Sequence, residues 1–509
     1  MVNFWNYSRY SLYFICCLSS VFFLFNPAKF PADDGFFYPQ IAFNIVHEKG
    51  SYFNDLYLTN GYHPLWMVCC VLAELINPLA KQDVVYILWA FQILFFVLSI
   101  NLITPFFKNN FQRYIVIIVL SIAFLGIGTF YLTEAHLNLL SLCLILNFIQ
   151  RQKKNDFLFG FLCSILFLAR LDNIFIIIPL GVYYWHFKNW KVLSLLNILC
   201  GFTLLVLPYI ISNLYFFESI VPISGRIKST FPYIKSEIIL GLWQKIFLLS
   251  ILAYYVLIII SKNINYKTQK LYFLTGSFLL LLYNILFQSE VMQWYFVSQM
   301  LVLGFFLYDI FDRIKTNIPS YIKIGICVFL FLFSMIIPAL KMGGNFSFEK
   351  FFFLNSQELS FYSQEPIKTA TGKISKITDS GSRVFVYDFP GKYAFYSDRN
   401  FIPADGLVGN ESFFNEISGS TFQSYMLKNK IDYLIVPSYF NSRKGTFSFV
   451  GMDVSGYKND LKYFVKNSKT KKRVSEIDLN NFEQIATFEN PSKFWQNNYD
   501  SIKVFKIIK

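Results

Sequence analysis

Long apolar stretches separated by short polar ones dominate this chain. The runs lie at 10–26, 64–79, 85–107, 113–130, 134–149, 157–169, 173–187, 192–212, 238–261, 270–287, 293–311 and 320–341. A crossing helix needs about 20 apolar residues, with a lower bound of about 17. Most runs reach or approach that length, so residues 1–344 read as a transmembrane module. Past 341 Gly, Ser, Asn and Lys return and no run is long enough to span. Residues 345–509 read as a soluble α/β domain. Strand-like runs fall at Arg383–Asp388 and Tyr433–Pro437, with a helix-like segment at about 411–428 between them. No internal repeat is visible.

Composition agrees. Of 509 residues 55% are hydrophobic, 20% aromatic and 15% charged, against about 25% charged in soluble domains. Mean hydropathy is +0.44. Disordered, collagen-like and single soluble-domain classes are excluded. The net charge of +14 would suggest nucleic acid in a soluble protein. Here the basic residues sit in short loops between apolar runs, where they report orientation. All eight cysteines lie in apolar stretches, with no CxxC spacing or disulfide framework. Residues 1–26 read as a retained first span, because no small-residue cleavage site follows them.

Parity tests the orientation. The basic loops are Lys108/Arg113, Arg151/Lys153/Lys154, Lys188/Lys191, Lys262/Lys267/Lys270 and Arg313/Lys315. With the N-terminus inside and every run crossing, the first two of these loops fall outside. If 64–79 does not cross, all five fall inside, as the positive-inside rule requires. That run is short and contains Glu74, so it reads as an interfacial or re-entrant helix on the outer face. About eleven crossings remain. The outer segments are then residues 27–84, 131–133, 170–172, 213–237, 288–292 and everything after about 342.

Every chemically suggestive feature falls on those outer segments. Asp33-Asp34 follows the first span directly. Adjacent carboxylates at a membrane surface repel and lose solvation, so one has a raised pKa or both hold a divalent cation. Either suits a general base; a solvated loop with a helix cap is the plainer reading. In Thr59-Asn60-Gly61-Tyr62-His63-Pro64-Leu65-Trp66, the Asn-Gly turn and Pro64 fix a bend that leads into a helix. His63 and Trp66 then sit at the interface. Glu134 opens a span, where an acid suits the helix dipole but also marks a functional candidate. Arg170 and Asp172 separate two short runs, either as a structural pair or as a phosphate site. Arg226 and Lys228 stand outside against the orientation rule, toward a phosphate or a lipid headgroup. Trp294 and Tyr295 begin a span as interface anchors or as a face for isoprenes or sugar rings. No Walker loop, GxSxG, HExxH or zinc spacing occurs.

Together these residues resemble the GT-C superfamily, the integral-membrane glycosyltransferases that use polyprenyl-phosphate sugars. The resemblance rests on Asp33-Asp34 after span one, the aromatic stretch from Phe36 to Ala42, and the runs 59–66, Ala169-Arg170-Leu171-Asp172 and 222–229. Tyr396-Ser397-Asp398-Arg399 and Asp405-Gly406-Leu407-Val408 extend it into the C-terminal part. The pattern looks like a bacterial branch distantly similar to lipid A aminoarabinose transferases and protein O-mannosyltransferases. It implies a GT-C fold of about eleven transmembrane helices with outer-face juxtamembrane helices, plus an extracytoplasmic α/β domain. The location it implies is a bacterial inner membrane. Asp34, four residues before Tyr38, would be the base, with Asp33 as fallback and Glu134 near the same cavity. Arg170, Arg226, Lys228 and His63 would bind the donor phosphate. Tyr38, Trp66, Trp294 and Tyr295 would line the substrate site. Asp33 and Asp34 are the candidates should a divalent cation be used. The branch usually shows Gly-Met-Glu-Thr where this chain has Leu132-Thr133-Glu134-Ala135, so the acid is kept while its flanks differ.

The implied reaction moves a monosaccharide from a polyprenyl-phosphate donor to a hydroxyl of a glycolipid, cell-envelope polysaccharide or protein. No nucleic acid is involved. Two rivals share the composition: a transporter or flippase of lipid-linked glycans, and an outer-face glycan polymerase or ligase. Transporters usually gather ionisable residues near the midplane and often show repeats. Here they gather at one rim.

Overall fold

The computed structural model describes residues 4–25, 27–28, 31–108, 110–126, 130–235, 238–261, 264–288, 291–313, 366–386, 390–413, 422–437, 445–448, 474–477, 482–489 and 501–508. The twelfth apolar run (320–341), Cys327 and Glu290 lie outside them, as do parts of the basic loops and of the 411–428 segment.

The bundle is built from α1 (Phe4–Phe25), α2 (Phe37–Val46), α3 (Pro64–Leu75), α4 (Val84–Ile103), α5 (Asn110–Ser121), α6 (Ala135–Gln150) and α7 (Asp156–Ala169). It continues through α8 (Ile174–Phe187), α9 (Val192–Phe217), α10 (Ile223–Lys228), α11 (Leu242–Ile260), α12 (Lys267–Phe287) and α13 (Val297–Arg313). Among the described residues, five stretches are long and apolar enough to cross a membrane: Lys81–Phe106, Val192–Phe217, Leu242–Ile260, Lys267–Phe287 and Gln293–Arg313. Shorter apolar segments accompany them at Tyr10–Val21, Asn110–Leu125, Ala135–Gln150 and Asp156–Ala169. The chain is a polytopic helical membrane protein. Helices α7 and α8 have 14 residues each. Each rises about 21 Å against a hydrocarbon core of about 30 Å, so the turn between them is set into the protein. Helix α3 has 12 residues and is shorter still. Pro64 opens it, where a missing N–H costs nothing. Val68, Leu72 and Leu75 along it are exposed.

The helices pair as α7 with α9, α4 with α6, α8 with α12, α1 with α5, and α5 with α13. The 113–130 run does not form one helix. Helix α5 ends at Ser121, and a π-helical stretch, Ile122–Gly126, follows.

The C-terminal part contains α14 (Pro366–Ile377), β1 (Arg383–Val386), α15 (Pro390–Phe395), β2 (Asn400–Pro403), α16 (Phe422–Lys428) and β3 (Tyr433–Pro437). Strands β4 (Gly445–Ser448), β5 (Val474–Ile477), β6 (Phe482–Glu489) and β7 (Ser501–Ile507) complete it. A five-stranded sheet runs β2-β1-β3-β7-β6, and β4 pairs with β5. β1 is parallel to β2 and β3, whereas β7 is antiparallel to β3 and β6. The strand runs read from the sequence match β1 and β3. Alternation along β1 divides its side chains. Val384 and Val386 join the apolar core that runs through the helices, and Phe385 joins a second cluster with Ile402, Leu434 and Phe505.

Candidate functional site at one end of the bundle

One cavity of about 790 Å³ opens at the end of the bundle where α2, α3, α6 and α8 begin. Asp34, Tyr38, His63, Glu134, Arg170, Arg226, Lys228, Trp294 and Tyr295 all line it. These residues come from six separate stretches of chain. Of the sequence candidates, only Asp33 and Trp66 stand outside the lining.

Asp33 and Asp34 share a 3-10 turn, Asp33–Phe36, that leads into α2. Their side chains diverge. Asp34 faces the cavity, with its Oδ2 3.5 Å from Nζ of the buried Lys228. Asp33 points the other way. Its Oδ2 accepts the Gly391 N–H (2.9 Å) and its Oδ1 the Lys392 N–H (2.8 Å). Burial pushes the Asp33 carboxyl up to about 8, while the two amide bonds pull against it. A cation held between the two aspartates would have to displace those amides. Among the described residues, no group of three or more His, Cys, Asp and Glu side chains is placed to hold a metal.

Glu134 is almost fully buried, at 2% exposure, and is surrounded by partners. Its Oε1 accepts from Nη1 of Arg170 and lies 3.5 Å from Nε2 of His63. Its Oε2 accepts the Tyr38 hydroxyl at 3.3 Å. Arg170 also donates from Nε and Nη2 to both oxygens of Asp172, at 3.1 and 2.8 Å. Three of its five donors are therefore taken by carboxylates. Its guanidinium lies 4.1 Å from the centre of the Tyr295 ring, a stacking arrangement that arginine favours. Arg170 is thus neutralised by two acids, which weakens its claim on a phosphate. Burial holds the His63 imidazole below its ordinary pKa, against the pull of Glu134, so the ring is neutral near pH 7.

Glu134 is held in place by a turn rather than a cap. Thr133 donates its hydroxyl to Phe130 O (2.7 Å), and its oxygen accepts the Ala135 N–H at 3.5 Å. Leu132 has a φ of 61°, the left-handed region that favours glycine. The turn is fastened by Gln92, which accepts the Leu132 N–H (2.9 Å) and donates to Thr133 O (2.8 Å). Trp66 donates its indole N–H to Leu132 O at 3.0 Å and is fully buried. Trp66 therefore supports the Glu134 turn and does not meet the cavity.

The loop from 59 to 63 is held by Asn60. Its side chain donates to Asn213 Oδ1 (3.3 Å) at the end of α9 and accepts the Ile223 N–H (3.1 Å) that begins α10. Short α10 carries Arg226 and Lys228 to the cavity. Arg226 is half exposed and pairs with Glu411 at 2.8 Å. Ser229, Tyr283 and Gln288 form a hydrogen-bonded chain along one wall, with both links at 3.0 Å. Glu411 and Leu407 were not foreseen as neighbours of the cavity. No local pattern marks Glu411, whose partner Arg226 lies far away in sequence, while Leu407 falls in the Asp405-Gly406-Leu407-Val408 run. Leu171, Ile174, Phe175, Leu214, Val221 and Phe231 add apolar surface to the lining.

No protein-family model and no curated protein matches the chain. Among solved structures it is similar to ArnT from Cupriavidus metallidurans in the apo state. That match has 10% sequence identity, covers 93% of each chain and has a TM-score of 0.50. At that identity the likeness is one of fold. The chain is a membrane protein with an ArnT-like fold and a cavity lined by both charged and apolar side chains.

Proposed function

We propose that the protein is a GT-C-type glycosyltransferase that moves a monosaccharide from a polyprenyl-phosphate donor to an acceptor hydroxyl. The acceptor is a glycolipid, a cell-envelope polysaccharide or a protein at the outer face of a bacterial inner membrane. The observation that carries this reading is the Asp34–Lys228 pair, 3.5 Å apart, in the lining of a cavity that combines cations with apolar side chains. An amphipathic donor needs both: cations for the phosphate and apolar wall for the first isoprene units. The ArnT-like fold supports the same class.

In this mechanism the acceptor oxygen attacks the anomeric carbon while Asp34 takes the hydroxyl proton. The bond from the anomeric carbon to the phosphate oxygen breaks, and its electron pair leaves with the polyprenyl phosphate. Lys228, with Arg226 at the mouth, stabilises the charge that develops there. Glu134, held by Arg170 and Tyr38, and neutral His63 orient sugar or acceptor hydroxyls.

A panel of radiolabelled polyprenyl-phosphate sugars, incubated with the purified protein in detergent, tests this reading. One donor should be consumed by wild type and not by Asp34→Asn. Failure of the wild-type protein both to bind and to consume every donor would contradict the reading and favour transport or a diphosphate-linked donor.

A further inference from the structure

The geometry points to Asp33 as a positioning residue that fastens the C-terminal part of the chain to the turn presenting Asp34. The inference rests on Asp34 being the base. Two neighbouring aspartates at the start of an outer loop look interchangeable, yet the structure gives each its own partners. Asp34 faces Lys228, whereas both Asp33 oxygens accept backbone N–H groups from Gly391 and Lys392.

The joint is close. A Cβ on Gly391 would lie 2.4 Å from the Asp33 carbonyl oxygen and 3.1 Å from its Oδ2, so only glycine admits this approach. Around it Phe36, in the same 3-10 turn, packs against Phe395 and Tyr396 with ring centres 5.4 and 5.5 Å apart. Further contacts widen the seam. Arg383 holds Asp55 with a shortest contact of 2.8 Å, and Lys81 donates to Ala394 O at 3.3 Å. At Gly61, a Cβ would lie 1.9 Å from the Leu407 carbonyl oxygen.

This seam makes the C-terminal part a wall of the cavity. Leu407 lines it, and Glu411 holds Arg226. The Asp33 carboxyl is the tie nearest the base, one residue away within a turn of four residues. Bonds from two backbone amides, one to each carboxyl oxygen, fix that turn in rotation as well as position. A base displaced by about 1 Å loses rate far more than it loses substrate affinity.

Hydrogen exchange on the intact purified protein, read over residues 34–38 and 391–395, tests the tie without any donor. Asp33→Ala and Gly391→Ala alter opposite sides of the joint. Both should speed exchange in both segments by about tenfold or more, and Asp33→Asn, which keeps one acceptor, should fall between them and wild type. If Gly391→Ala loosens 391–395 alone and leaves 34–38 at the wild-type rate, the positioning role is overturned. With the donor that wild type consumes, Asp33→Ala should lower kcat about tenfold and leave KM within about twofold. Complete loss of turnover in Asp33→Ala with wild-type exchange would instead make Asp33 a catalytic residue. Turnover retained in Asp34→Asn beside the expected exchange pattern would refute the base while leaving the tie standing.

Discussion

Replacing Arg170 with Gln separates a structural arginine from a phosphate ligand. In the folded protein its guanidinium is shared by Glu134 and Asp172, with the three side chains only 3%, 2% and 13% exposed. Removing it leaves two carboxylates without their cation in a poorly solvated turn. Breaking a buried pair costs about 3–5 kcal/mol, and two acids on one cation put this site toward the upper end. Adding Glu134→Gln to Arg170→Gln removes one stranded charge and should recover about half of that loss, roughly 2 kcal/mol. Thiol labelling at a fixed elevated temperature reads the effect, because Cys70, Cys143 and Cys163 are buried and react only on opening. If half the cost falls on the unfolding barrier, Arg170→Gln labels more than about tenfold faster than wild type. The double variant should lie between them. Labelling at the wild-type rate, with a raised KM for the donor, would refute this reasoning and return Arg170 to the phosphate.

Lys228→Met should lower kcat/KM by roughly 100-fold with little change in melting, because it removes a cation that the leaving phosphate needs; donor kinetics against wild type check this. Trp66→Phe keeps a ring but loses the bond to Leu132 O, so it should cost about 1–3 kcal/mol of stability and leave donor KM unchanged, as melting curves and a donor titration would show. The His63 ring should remain neutral at pH 6.5. Its folded pKa lies below the ordinary value, so as pH falls through about 6.5 the unfolded chain gains the proton first and stability is lost. Histidine-labelled NMR on this four-histidine chain would follow the ring, and an imidazolium signal from His63 at pH 6.5 would count against the burial argument.

Apolar run lengths announce the helices because the bilayer sets a length that few soluble sequences imitate. The distribution of charge in short loops then groups Asp34, His63, Glu134, Arg170, Arg226 and Lys228 on one side, and all six line one cavity. What lies between residues in space was not legible. Asp33 and Asp34 are chemically identical neighbours, and only the rotation of the 3-10 turn decides which meets the cavity and which meets Gly391. Trp66 looks like any interface tryptophan until its N–H is seen on Leu132 O. Arg170 advertises a phosphate site, but its charge is taken by Glu134 from the start of another helix. Glu411, the partner of Arg226, comes from the C-terminal part and carries no local signal. Nor does an apolar run show where helical geometry changes, as after Ser121.

The most direct test of the central claim is a structure of the Asp34→Asn protein with the proposed polyprenyl-phosphate sugar bound. The account predicts the phosphate within hydrogen-bonding distance of the Lys228 amine, the anomeric carbon turned toward residue 34, and the first isoprene units along Leu214, Val221 and Phe231. A phosphate seated at the opposite end of the bundle, or with its sugar turned away from residue 34, would contradict it.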